Sequence, residues 1–128
     1  MNRAVDIGIA AHIGAYSDAI EVQPGARWLA TAGTPGMRAD GTIPGDFEEQ
    51  ATLAWANIGE ALSRAGFEVS DLVKITQYLT SADDIPAYAA VRARFLGDVR
   101  PASTLLVVQS LPWPQMSIEI EAWAARAP

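Results

Sequence analysis

Residues 116–124 read MSIEIEAWA, and their alternation is strict. Successive side chains of a strand point to opposite faces. Ile118, Ile120 and Ala122 therefore share one face, and Glu119, Glu121 and Trp123 share the other. A strand with a wholly apolar face must lie on a core. The fold turns on what covers that face and what is left for the face with the carboxylates.

The neighbouring segments supply the rest of a sheet. DLVKITQYL (71–79) alternates, with Val73, Ile75 and Leu79 facing one way and Lys74, Thr76 and Tyr78 the other. STLLVVQS (103–110) is apolar and rich in β-branched residues. LPWPQ (111–115) has two prolines in five residues and cannot continue a ladder. AIEVQPGARWLATAG (19–33) reads as a hairpin turning at Pro-Gly, with Trp28, Ala30 and Ala32 on one face. TPGMRADGTIPGD (34–46) reads as a loop.

Two helices separate these strands. Asp46 with Glu49 three residues on makes a capping-box pattern. Phe47, Ala51, Ala54, Ile58, Leu62 and Ala65 follow at helical spacing, and Gly66 stands at the left-handed stop. The Ala-rich stripe suits close packing on a sheet. The second helix starts near Ser81, tolerates Pro86 in its first turn and stops at Gly97. Its stripe is Ile85, Tyr88, Arg92 and Phe95, with the Arg92 stem packed and its head toward water. The order ββαβαββ predicts one α+β domain over 1–128, with two helices on one sheet face. No element remains to cover Trp28, Ala30 and Trp123 on the other face, so self-association is expected.

Composition excludes several functions. The net charge is −6 and no basic stripe exists, so nucleic acid is not an expected partner. No apolar run approaches the ~20 residues of a membrane span. Asp6 and His12 interrupt the first apolar stretch, which does not read as a signal peptide. Without cysteine there is no disulfide, thiol nucleophile or Cys-ligated metal, and one histidine leaves no His-based metal site. A soluble cytoplasmic protein is expected.

Six stretches then line up. GAYSDAI (14–20), AGTPG (32–36), FEEQATLAWANIGEALSRAG (47–66), DLVKITQYLT (71–80), RPAST (100–104) and IEIEA (118–122) resemble the signatures of the RidA (YjgF/YER057c/UK114) family, in order and in register. The resemblance implies a chorismate-mutase-like α+β fold, a homotrimer and three clefts between subunits. It implies hydrolysis of enamines and imines such as 2-aminoacrylate to ketoacids and ammonia, without a cofactor. By position, Tyr16 matches the cleft tyrosine, and Gly33 the glycine whose backbone approaches substrate. Glu119 matches the glutamate that holds the attacking water, and Leu105 a residue whose carbonyl helps to place it. Two positions depart. Ser103 stands where a P-x-R-[ST] pattern carries the arginine that forks onto the substrate carboxylate, and Ala89 where asparagine is usual. A hydroxyl cannot replace a bidentate guanidinium, and Arg100, three positions earlier, is the alternative cation.

Each candidate has two readings. Glu119 is a general base for water, or a salt-bridged carboxylate on the sheet; Glu121 is read as structural. Tyr16 is a donor to a flat ligand or a packing residue. Ser103 is a polar lining residue and not a nucleophile, because no His–Asp pair accompanies it. His12 is read as solvated or capping, and Trp113 as exposed near a cleft with no assigned ligand. The favoured function is water addition to an imine or enamine that does not depend on the usual carboxylate clamp. The rivals are a non-catalytic trimer that binds a small molecule, and imine hydrolysis or ring closure within a pathway.

Overall fold

A computed structural model describes all residues, 1–128. The strand quoted first is the centre of the molecule. It runs as β7 over Ile118–Arg126, and it pairs on one side with β3 (Arg27–Ala30) and on the other with β5 (Leu72–Leu79). β6 (Ala102–Val107) adds to β5 in parallel, giving the order β3–β7–β5–β6. The parallel pair is joined by α3 (Ile85–Leu96), as a crossover requires.

α2 (Phe47–Arg64) and α3 cover one face of this sheet. The Asp46 carboxylate accepts from the Glu49 backbone N–H at 3.0 Å and so starts α2. Gly66 follows its end at φ +79, a conformation open to glycine and strained for other residues. Ala51, Ala54, Ile58 and Leu62 of α2 pack with Ile75, Leu79, Ile118, Ile120 and Ala122 in one buried cluster. Trp55 lies in the same cluster and stacks on Phe95 of α3, with ring centroids 4.7 Å apart. The expected α+β class, the two long helices and the three later strands are all present. No helix is long and apolar enough to cross a membrane.

The first third differs from expectation. Residues 19–33 do not form a hairpin. β2 (Ala19–Glu21) pairs with β1 (Arg3–Val5) in a separate two-stranded sheet, and the Pro24–Gly25 turn hands the chain to β3 on the main sheet. The turn chemistry is local, whereas the partner of each strand is set by distant contacts. A four-residue helix, α1 (Ala10–Ile13), follows β1. The expected loop 34–46 begins with a two-residue strand, β4 (Thr34–Pro35), on β7. β6 stops at Val107 rather than Ser110, while β7 runs on to Arg126.

β3 and β4 line the same edge of β7 with a gap between them. In the gap the Thr31 hydroxyl accepts from the Ala122 N–H at 2.9 Å, in place of a backbone carbonyl. The chain swings out at Ala32 and Gly33 and returns at Thr34. Gln50, buried on α2, holds the returning segment. Its amide donates to the carbonyls of Pro44 and Gln115 and accepts from the Ser117 N–H, at 2.8–2.9 Å. The uncovered sheet face shows Trp28 and Trp123 edge to face at 6.3 Å, both about half exposed (54% and 47%).

Candidate active site

The gap in the edge strand opens beside Glu119. Pro35 pairs with Glu119 across β4–β7, and Gly33 lies two residues upstream. A Cβ on Gly33 would fall 1.9 Å from Glu119 Oε1, so only a bare Cα allows the carboxylate to lie there. Two residues separated by 86 positions are thus in contact.

Glu119 shares the open face with Tyr78, its cross-strand partner on β5, and with Glu121, which pairs with Thr76. The Tyr78 hydroxyl donates to Glu121 Oε1 at 2.8 Å. Glu119 is half-buried, makes no salt bridge, and has no cation to hold its charge. Burial, followed by the nearby charge of Glu121, raises its carboxyl above the usual 4.5. Hydrogen bonding to Glu121, then burial, pushes the Tyr78 hydroxyl above 10.0. The salt-bridged reading of Glu119 is therefore absent, and a carboxylate with raised basicity faces outward from the sheet.

Tyr16 lies elsewhere. Ser17 bridges in parallel to Ala102, donating its N–H to the Pro101 carbonyl at 3.1 Å and its hydroxyl to the Arg100 carbonyl. The GAYSDAI segment is thus fixed to the outer edge of β6. Asp18 shapes the turn before it by accepting from the Ile7 and Ala10 N–H groups at 2.9 and 2.8 Å, bonds that lower its pKa. Tyr16 and Arg100 line a groove of about 380 Å³ with Gly8, Gly14 and Asp18. From Ser17 to Glu119 is three strand spacings, on the order of 14 Å. One chain brings Gly33 to Glu119 and Tyr16 to Arg100, but not the two pairs together.

Ser103 is on the other face from Glu119. It pairs with buried Ile75, and its hydroxyl accepts from Gln77 Nε2 at 2.9 Å. Gln77 also donates to the Thr104 carbonyl and accepts from the Tyr88 hydroxyl at 2.6 Å. The Leu105 side chain packs on the core. The Arg100 guanidinium folds back to the carbonyls of Gly97 and Val99, at 2.7 and 3.3 Å, at the end of α3. His12 is exposed on α1, and Trp113 is 46% exposed in the loop before β7. A larger groove of about 470 Å³ at the start of α2, with Arg38, Asp46 and Glu49, contains none of these residues.

Four residues escaped the sequence reading. Tyr78 was assigned only to a face, and Ser17 and Asp18 were read only as part of a motif. Gln77 did leave a signal: it is the polar residue in the apolar phase Val73, Ile75, Leu79.

This is an α+β domain carrying a solvent-facing carboxylate on a sheet and a tyrosine at the sheet's far edge. The chain belongs to the RidA (YjgF/YER057c/UK114) family; residues 8–126 match the family model described as Endoribonuclease L-PSP. It is 36% identical over 120 residues to the 2-iminobutanoate/2-iminopropanoate deaminase of Capra hircus, covering 92% of this chain and 85% of that one. A RutC family protein of Pyrococcus horikoshii is 32% identical over 114 residues, covering 88% and 87%. Among solved structures, the Rid family protein YyfB of Yersinia pestis superposes with a TM-score of 0.85 at 29% identity, covering 98% of each chain. Escherichia coli TdcF with bound serine gives 0.74 at 29%, covering 98% of this chain and 94% of that one.

Proposed function

We propose that this protein adds water to a small imine or enamine metabolite, in a cleft completed by a neighbouring copy in a homotrimer. One copy supplies Glu119 and Gly33, and the next supplies Tyr16 and the segment around 100–105. The substrate reacts as its nitrogen-protonated iminium; Glu119 takes a proton from water as the water oxygen bonds to the C=N carbon, which leaves a neutral carbinolamine. The carbinolamine then collapses. Glu119 returns its proton to the amine nitrogen, the C–N bond breaks with its electron pair leaving on nitrogen, and the hydroxyl proton passes to the released ammonia through solvent, so that a carbonyl compound and ammonium remain. An enamine first tautomerises to the imine. Tyr16 orients the substrate from the opposite wall, and the Leu105 carbonyl helps to hold the water.

The observation that carries this reading is Glu119 itself: half-buried, without a cation, raised in pKa and pressed against a glycine. Deaminase names among the relatives support the reaction class. The nuclease in the family description finds less support here. Phosphate binding needs clustered cations, whereas four of the nine are paired with carboxylates.

Ser103 sets the substrate range. Without the guanidinium fork two charge-assisted bonds are lost, each ~1.5–3 kcal/mol, on the order of a hundredfold or more in binding. Short α-imino acids such as 2-iminopropanoate should be poor substrates. A non-catalytic small-molecule binder is the second reading, favoured by the Ser103 hydroxyl being engaged by Gln77. The test generates the enamine in situ with a PLP-dependent dehydratase and follows ketoacid release by wild type, by Ser103→Arg, and by Ser103→Arg with Glu119→Gln. A gain in the single variant that the double variant loses supports catalysis through Glu119. A gain that Glu119→Gln leaves untouched removes Glu119 from the reaction.

A further inference from the structure

The chain has nine cationic side chains, and seven of them donate hydrogen bonds. The exceptions are Arg27 and Arg92. Arg27 is exposed and lies over the Phe67 ring at 4.7 Å. Arg92 is half-buried, on the α3 stripe that faces the sheet, and its guanidinium has no carboxylate, carbonyl or hydroxyl partner. It stands 5.7 Å from the Tyr88 ring centroid, one helical turn back. Its Nη2 lies 3.8 Å from where a Cβ of Gly14 would be, and the Tyr16 ring lies 3.6 Å from that same point. The free guanidinium is therefore at the wall that carries the candidate cleft tyrosine. Five N–H donors with no protein acceptor are suited to a carboxylate.

We propose that Arg92 is the anion-binding group of this site and that it takes a carboxylate set back from the C=N carbon. The inference rests on the imine-hydrolase reading above and narrows its substrate class. Ser103 and Arg92 are separated by the Gln77 amide and the Tyr88 ring, through the contacts Ser103–Gln77, Gln77–Tyr88 and Tyr88–Arg92. A carboxylate held by Arg92 is therefore displaced from the place where a fork at position 103 would hold it. The fitting substrate has methylenes between its acid group and its imine, unlike an α-imino acid. Arg100 does not compete for this role, because its guanidinium is bonded to the end of α3. Gly14 keeps the approach open, since a side chain there would fill the space between Arg92 and Tyr16.

The test uses stable ketone probes and the whole protein. 4-Oxopentanoate carries its carboxylate two methylenes from the carbonyl; its methyl ester has the same skeleton without charge. Calorimetry or protein NMR titration should give wild type at least a tenfold preference for the acid. Arg92→Gln should abolish that preference while leaving ester binding unchanged, and Arg92→Lys should keep part of it. A purely structural role would weaken acid and ester alike, and that outcome overturns the proposal. So do equal binding of the two probes by wild type, no binding of either, or a preference that survives in Arg92→Gln. Glu119→Gln separates the two readings. If it abolishes neither turnover nor binding, the hydrolytic mechanism fails; an Arg92-dependent preference for the acid stands or falls by itself.

Discussion

A methyl group on Gly33 has no space except through Glu119, since its Cβ would sit 1.9 Å from Oε1. The nearest atoms are the far end of a flexible side chain, so the fold can survive while the carboxylate is displaced. Gly33→Ala should therefore lower turnover by roughly 10- to 100-fold, the cost of misplacing a reacting group by an ångström or so, with little change in Tm. A large fall in Tm at unchanged turnover would show that the contact serves folding alone. The same carboxylate sets a pH dependence. Its folded pKa is raised, by burial and then by Glu121. As a base it must be ionised, so the acid limb of kcat/KM should lie above 4.5, and Glu121→Gln should move that limb to lower pH. For stability the sign follows from proton linkage: the folded state holds the Glu119 proton more tightly than the unfolded chain. Stability from this group is complete below the unfolded pKa and is lost as pH rises through the folded one. Glu119→Gln should raise Tm at pH 7 and not below pH 4.5. Thermal melts at both pH values check it.

At the scale of elements, a hydrogen-bonded chain ties β5, α3 and β6 together. Tyr88 donates to Gln77, which donates to Ser103 and to the Thr104 carbonyl. Gln77 and Tyr88 are fully buried, so each must find its partner inside the protein. Gln77→Leu should destabilise by about 1–3 kcal/mol, because it strands the Tyr88 hydroxyl, while adding Tyr88→Phe should recover much of the loss. Urea denaturation of the two singles and the double would test this; strictly additive losses would show the Gln77–Tyr88 pair to be uncoupled. The same contrast between local and distant contacts explains what the sequence made legible. α2 could be read because its cap, stripe and glycine stop are local, and β7 because strict alternation survives wherever a strand lies. The hairpin at 19–33 was misread because Pro24–Gly25 specifies a turn and says nothing of which sheet receives each arm. β4 is two residues long, too short for any period, and is held by Asn57, whose amide donates to the Pro35 and Met37 carbonyls. Glu119 stood out as a charge among isoleucines. Its contact with Gly33 spans 86 positions and follows from no local rule. Arg92 was legible as a residue of the stripe, but its place beside Tyr16 depends on how GAYSDAI is bonded to the edge of β6.

On the scale of the whole molecule, Glu119 and Tyr16 lie at different parts of one sheet. Glu119 is on β7, two strands in from β6, and Tyr16 is beyond the outer edge of β6. The face with Glu119 also carries Trp28, Trp123 and Leu106, each 44–54% exposed, apolar surface that association would take out of water. Association that covers this face and brings another copy's β6 edge to Glu119 meets both conditions at once. Light scattering should then give three times 13.6 kDa, ~41 kDa; a stable monomer at micromolar concentration would remove the shared cleft. The sharper test mixes two inactive variants. Tyr16→Phe and Glu119→Gln, co-refolded in equal amounts, assemble at random. A cleft is intact only if its tyrosine comes from a Glu119→Gln chain and its glutamate from a Tyr16→Phe chain. Independent draws of one half from each population make about one cleft in four intact under cyclic symmetry. Roughly a quarter of wild-type turnover should therefore return, although neither variant alone has it. No recovery, in mixtures shown by mass spectrometry to contain hybrid trimers, would mean that Tyr16 and Glu119 do not share a cleft across subunits.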